Sequence, residues 1–230
     1  MGYRKLKVVV RPPLVALWRP RVRGRHHLPG HGPVILASNH QSHADYVFLG
    51  LATPRHITFV VKAEAFAVGG PAGRLLTWLL RTMGQLRVDR GAGRGARAAL
   101  DAGLAVLRDG GAVGIYPEGT RSPDGRLYKG RTGVGWLALT SGAPVIPVAM
   151  RGTGRVLPPG AKVPRLGRVE VRFGAPVPLT AYMGHADDPR SRRAATDAIM
   201  RAIGELAREE PAEVYATTVK DATEPRRRTA

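Results

Sequence analysis

Cysteine is absent from this 230-residue chain. Its absence excludes a thiol nucleophile, an acyl-thioester carried on the protein, a disulfide scaffold and any thiolate metal site. Acid is scarce, with 17 Asp+Glu against 36 Lys+Arg, a formal charge of +19 and a pI near 11.4. Such a balance fits nucleic acid, an anionic membrane surface or phosphorylated substrates. Aromatic residues are only 6% and form no stacking array. There is no helix-turn-helix, zinc or RNA-recognition signature, which argues against a nucleic-acid-binding protein. No apolar run reaches the roughly 20 residues of a spanning helix, and no small-residue cleavage site follows the N-terminal apolar stretches.

What is present is enough for a globular core. The chain is 43% hydrophobic, with 29 Gly and 19 Pro dispersed along it, so it is not a disordered polycation. Thirty of the 36 basic residues are Arg, in a background rich in Ala, Gly and Pro of the kind a codon-biased genome produces. The N-terminal segment stands apart. Residues 1–44 hold Arg4, Lys5, Lys7, Arg11, Arg19, Arg21, Arg23 and Arg25 and no acid, the first carboxylate being Asp45. Interleaved Val8, Val9, Val10, Leu14, Val15, Leu17 and Trp18 make residues 1–29 a basic, apolar arm suited to an anionic leaflet, where each Lys or Arg contributes about 1 kcal/mol. Pro12, Pro13 and Pro20 are expected to interrupt a continuous amphipathic helix there.

Beyond Gly30 short apolar runs alternate with helical stretches. Strands are expected at residues 34–38, 57–61, 112–116, 144–150 and 169–173, with a further short one ending the stretch 84–90. Helices are expected from Pro71 through Met83, over 96–108 with Leu100, Leu104 and Leu107 on one face, over 131–141, and from about Ser191 through Ile199, Ile203 and Leu206. Alternation of this kind predicts a single α/β domain over 30–210, with a central, mostly parallel sheet flanked by helices. Residues 211–230 lose periodicity and read as a loose tail.

The densest polar cluster, Ser38-Asn39-His40-Gln41-Ser42-His43-Ala44-Asp45, follows the first strand, where α/β proteins place reactive groups. His40, His43 and Asp45 match no recognised metal-ligand spacing, and Ser42 lacks the G-x-S-x-G elbow of a nucleophile. The economical reading makes His40 a general base oriented by Asp45, with the proton taken from a substrate hydroxyl. A second segment, Tyr116-Pro-Glu-Gly-Thr-Arg-Ser122, ends a strand with a turn. Gly119 there admits close approach, Arg121 offers a fork for phosphate, and Lys129 lies shortly beyond. Glu118 would repel an anion, so its expected role is to bind an acceptor hydroxyl or position Arg121. A third, Gly84-Gln-Leu-Arg-Val-Asp-Arg90, ends in an Asp-Arg pair whose simplest reading is a surface ion pair.

Together these segments resemble the glycerolipid acyltransferases of the PlsC type, the family of 1-acyl-sn-glycerol-3-phosphate (lysophosphatidic acid) acyltransferases. Asn39-His40…Asp45 is similar to the family's N-H-x4-D box and Gly84–Arg90 to G-x-I-x-V-D-R with Leu86 for Ile. Tyr116–Ser122 is similar to F-P-E-G-T-R-S with Tyr for Phe, and Val145-Ile-Pro147-Val148 to the fourth, apolar block. Four blocks in order over roughly residues 30–175 are far more specific than any one.

The resemblance implies a glycerol-3-phosphate acyltransferase-like fold. It implies direct acyl transfer from acyl-coenzyme A or acyl carrier protein, as co-substrate, to a lysophospholipid hydroxyl, with no cofactor and no metal. His40 would be the base and Asp45 its partner. Glu118, Gly119 and Arg121 would bind the acceptor's glycerol phosphate, with Arg90 and Lys129 as further phosphate contacts. Other acceptors (glycerol 3-phosphate, a lyso-ornithine lipid or another lysolipid) need the same pair. Leu86 and Tyr116 bear on acyl-chain or head-group preference. His43, with His26, His27, His31 and His56, reads as a bystander or structural residue. The expected location is the cytoplasmic face of the cell membrane, peripheral or monotopic.

Overall fold

A computed structural model describes residues 2–62, 86–88, 94–158, 161 and 163–223. The expected helix from Pro71 through Met83, and Gly84, Gln85, Asp89 and Arg90, lie outside the described residues. A seven-stranded sheet organises the chain. Its strands are β1 (Arg21–Arg23), β2 (Val34–Ser38), β3 (Ile57–Lys62), β4 (Leu86–Val88), β5 (Ala112–Ile115), β6 (Val145–Arg151) and β7 (Glu170–Phe173). They lie in the order β1-β7-β6-β2-β5-β3-β4. Every pairing is parallel except β6 with β7. Strand β2 is central, pairs with both β5 and β6, and is buried along its whole length. An uninterrupted Val-Ile-Leu-Ala run is what a strand covered on both faces requires.

The period-2 alternation of β2 divides the core. Val34 and Leu36 face one apolar cluster with Phe48, Leu49, Phe59 and Met150. Ile35 and Ala37 face the other, with Leu104, Leu107, Leu137, Ile199 and Ile203. Helices α3 (Arg94–Arg108), α4 (Gly133–Ser141) and α6 (Pro189–Ala207) supply the second cluster, and α2 (Ala44–Ala52) with the short α5 (Thr153–Val156) supplies the first. Helix α6 starts two residues before its expected origin. Asp188 is its N-cap and accepts from the backbone N–H of Arg190 and Ser191, and Pro189 occupies the first turn.

Three expectations change. The first is that the N-terminal segment forms one helix, α1 (Gly2–Trp18), which runs through Pro12 and Pro13. The two prolines remove the donors that would meet the carbonyls of Val8 and Val9. These residues are 73% and 71% exposed, so water can take the donors' place. Docking offsets the remaining cost, about 3 kcal/mol or more for an interior proline. Leu14 and Trp18 pack on the first cluster, Trp18 meets the edge of Phe48, and its Nε1–H donates to Arg165 O at 2.8 Å. The second is that the sheet begins before residue 30, because Arg21–Arg23 pairs with β7. The third is that the expected loose tail contains helix α7 (Ala216–Thr223). It is preceded by a parallel bridge of Ala212 to Tyr128. Among the described residues no helix is long and apolar enough to cross a membrane.

Candidate active site

Parallel strands bring their C-terminal ends to one edge, and the two polar segments meet there. The β2–β6 ladder stops at Ser38 and Val148. Asn39 then continues it with its side chain. Its Nδ2 donates to Met150 O at 3.0 Å and its Oδ1 accepts from Met150 N at 2.7 Å. The chain can thus leave the sheet without orphaning a buried backbone group, and His40 begins the turn into α2.

His40 Nδ1 lies 2.8 Å from Asp45 Oδ2. The same oxygen accepts the backbone N–H of Gln41 and of Ser42, each at 2.8 Å. With Asp45 0% exposed and acting as acceptor, the proton of a neutral imidazole sits on Nδ1, and the Nε2 lone pair is left to act. Aromatic rings hold the plane of the imidazole. Tyr116 stacks on it with centroids 3.9 Å apart and 14° between planes, and Tyr46 meets it edge-on at 5.4 Å. Gly114 makes room for this stack, since a Cβ there would come within 2.2 Å of the Phe59 ring, which stacks in turn on Tyr116.

Glu118 does not reach outward. It is 1% exposed, and its two oxygens accept the backbone N–H of His40 at 2.9 Å and of Tyr128 at 3.0 Å. Ser122 N donates to His40 O at 2.7 Å. Both backbone polar groups of His40 are therefore held by the 118–122 turn, 78 residues away. Of the two roles expected for Glu118, binding an acceptor hydroxyl or positioning Arg121, this geometry fits the second: it ties the His40 loop to the turn that carries Arg121. Burial pushes its carboxyl up to about 8, against the lowering effect of those two N–H donors.

Gly119 occupies the left-handed region at φ +73, with the Arg131 side chain directly over it. Arg121 is half-buried and makes no hydrogen bond or ion pair among the described residues. Its charge is felt at His43, whose ring is pushed down to about 4 by desolvation, then by Arg121 and His40. His43 is therefore part of the electrostatic surroundings of the His40–Asp45 pair, and among the described residues Arg121 stands near it with its guanidinium uncommitted. Lys129 is placed otherwise. Its Nζ pairs with Glu213 Oε2 at 3.2 Å and its backbone N–H donates to Val214 O, so it contacts the C-terminal segment. Arg90 lies outside the described residues. Ser42 is fully buried, donating to Leu157 O and accepting from Ala44 N, which is a structural role. Among the described residues no group of three or more His, Asp or Glu stands where it could hold a metal ion.

Residues 19–151 match the model of the acyltransferase family. A 1-acyl-sn-glycerol-3-phosphate acyltransferase of Pseudomonas aeruginosa is 32% identical over 163 residues, 70% of this chain and 60% of that one. A chloroplastic 1-acyl-sn-glycerol-3-phosphate acyltransferase of Brassica napus is 30% identical over 146 residues, 63% of this chain and 41% of that one. The crystal structure of PlsC, the 1-acyl-sn-glycerophosphate acyltransferase of Thermotoga maritima, superposes with a TM-score of 0.69 at 25% identity, covering 89% of this chain and 79% of that one. The chain spans about half the length of the curated relatives it matches. With the His40–Asp45 pair at the strand ends and more than half of its length within the family model, the chain belongs to the acyltransferase family.

Proposed function

We propose that the protein transfers a fatty acyl group from an acyl thioester, on coenzyme A or acyl carrier protein, to the free hydroxyl of 1-acyl-sn-glycerol 3-phosphate, giving phosphatidic acid for phospholipid synthesis. The observation that carries the reading is the His40 Nδ1–Asp45 Oδ2 contact of 2.8 Å, which leaves Nε2 as the base, beside an uncommitted Arg121. Nε2 takes the hydroxyl proton as the acceptor oxygen attacks the thioester carbonyl. The tetrahedral intermediate collapses, the carbon–sulfur bond breaks, and the imidazolium returns the proton to the departing sulfur. Asp45 supports the imidazolium while it exists. Arg121 binds the acceptor phosphate, and Arg90 remains a proposed second contact. No acyl-enzyme forms, in keeping with a chain that has no cysteine.

The basic arm is proposed to hold the protein on an anionic leaflet, at the cytoplasmic face of the membrane, where both substrates are within reach. Helix α1 supports this with Val8, Val9, Val15 and Leu17 exposed.

The test is turnover with labelled acyl-coenzyme A and acyl carrier protein donors on a panel of acceptors: lysophosphatidic acid, glycerol 3-phosphate, a lyso-ornithine lipid and lysophosphatidylcholine. Lysophosphatidic acid is expected to give the highest kcat/KM. His40→Ala is expected to lower kcat by about 10²–10⁴-fold with the circular dichroism spectrum unchanged. Full turnover by that variant would overturn the mechanism, and preference for an acceptor without phosphate would overturn the substrate.

A further inference from the structure

The loop that follows α5 takes no part in the proposed acyl transfer. Residues 153–169 hold Arg155, Arg165 and Arg168 and no acid, so the stretch repeats the basic composition of the N-terminal segment. Val163 and Leu166 are 75% and 73% exposed, and the three arginines are exposed as well. A single exposed apolar side chain is ordinary. Two this close together, set among cations with no acid between them, have the composition of a segment that meets an anionic lipid surface.

The loop is tied down at its base and on two sides. Arg165 N donates to Val156 O at 2.7 Å, which closes the loop on a residue buried in the first apolar cluster. On one side Trp18 Nε1–H, at the end of α1, donates to Arg165 O at 2.8 Å. Leu166 thus follows a residue in contact with the helix end where Leu17 is exposed. On the other side Ser42 Oγ, two residues beyond His40, donates to Leu157 O at 2.7 Å. The base of the loop, α1 and α2 all pack on the first cluster, whereas α3 packs on the second, across the sheet. The N-terminal helix and the 153–169 segment therefore meet on one face of the sheet, next to the His40 loop.

We propose that this loop is a second contact with an anionic phospholipid leaflet, in which Val163 and Leu166 enter the head-group boundary and Arg155, Arg165 and Arg168 meet the lipid phosphates. The choice of a leaflet as partner rests on the contact proposed for α1. A single helix lying on a surface leaves the molecule free to roll about the helix axis. A second contact joined to the first through Trp18 removes that freedom, and each contact raises the effective concentration of lipid at the other. Through Ser42 it also holds the His40 loop close to the surface from which a lipid acceptor comes.

Because the chain has no cysteine, one introduced cysteine carries a nitrobenzoxadiazole label at a single known position. Leu166→Cys, Val9→Cys on α1 and Ala98→Cys, at an exposed position of α3, are each labelled in the full chain. They are mixed with vesicles of phosphatidylcholine and phosphatidylglycerol, with and without bromine on the acyl chains. The labels at 166 and 9 are expected to brighten by at least about twofold and to be quenched by bromine, as groups seated about 5–10 Å into the boundary are. The label at 98 is expected to do neither. Leu166→Asp is expected to weaken vesicle binding by about tenfold or more, the effect of losing one buried leucine, with the circular dichroism spectrum unchanged. A response at 9 with none at 166 would overturn the loop contact and leave that of α1 standing. Silence at both would overturn both, and a response at 166 alone would keep the loop contact and overturn that of α1. An equal response at 98, or undiminished vesicle binding by Leu166→Asp, would overturn the loop contact. A response at 166 to acyl carrier protein and not to vesicles would overturn the lipid surface in favour of a protein partner.

Discussion

Glu118 carries the most information per residue. Its carboxyl group accepts the backbone N–H of His40 on one side and of Tyr128 on the other, so it sets the distance between the His40 loop and the Arg121 turn. Folding raises its pKa from the ordinary carboxylate value to about 8, and the folded state therefore takes up a proton there. The stability this contributes is whole below about pH 4.5 and is lost as the pH climbs through about 8. Urea unfolding across that range is expected to show a decline in the wild type that flattens in Glu118→Gln. The amide also presents an N–H₂ to one of the two backbone donors, so the variant should be less stable at pH 7 by about 1–3 kcal/mol. A wild-type slope that survives the substitution would assign the titration to another group.

At the scale of elements, the C-terminal segment is a strap over the Arg121 turn. Lys220 Nζ on α7 donates to Thr120 Oγ1 at 2.7 Å, and Arg131, lying over Gly119, donates to Thr217 Oγ1 at 3.0 Å. Arg131 also covers the Tyr215 ring at 5.3 Å. Release of the strap should loosen Arg121 without touching His40. Lys220→Met and the charge-neutral Thr217→Val are each expected to raise KM for a phosphate-bearing acceptor by roughly two- to tenfold, with kcat retained. A fall in kcat at constant KM would place the strap's effect on the His40 loop instead. Nothing in residues 211–230 advertises this helix. It spans only eight residues, too few to establish a period or to be stable alone, and its order comes from the surface it covers. Helix α1 was hidden for the converse reason: Pro12 and Pro13 are strong local signals against it, and contacts with distant Phe48 and Arg165 override them.

For the whole molecule the question is where a net charge of +19 acts. In the proposed reaction Arg121 meets the acceptor phosphate at one edge of the sheet, and Lys7, Arg11 and Arg55 line a cleft at the other. Co-sedimentation with phosphatidylcholine vesicles is expected to be slight and to rise steeply when phosphatidylglycerol is included. Raising salt from about 0.1 to about 1 M shortens the Debye length from about 10 to about 3 Å and should release most of the bound protein. Retention at high salt would mean that apolar contact through Val8, Val9, Val15 and Leu17 holds it.

The sequence by itself determined the parts that depend on near neighbours. Short apolar runs placed β2, β3, β5, β6 and β7, and helical stretches α3, α4 and α6, within a residue or two over most of their ends, because each of those elements buries its apolar side chains in the core. The pair His40 and Asp45 was legible because both lie on one turn. Only the tertiary structure decided the groups joined across long separations. It turned Glu118 inward onto His40, took Lys129 into an ion pair with Glu213, stacked Tyr116 on the imidazole and used Asn39 to extend a strand ladder to Met150. Residue type names the bonds a side chain can make. Which partner it meets depends on the packing of strands and turns far apart in the chain, and no local pattern encodes that meeting.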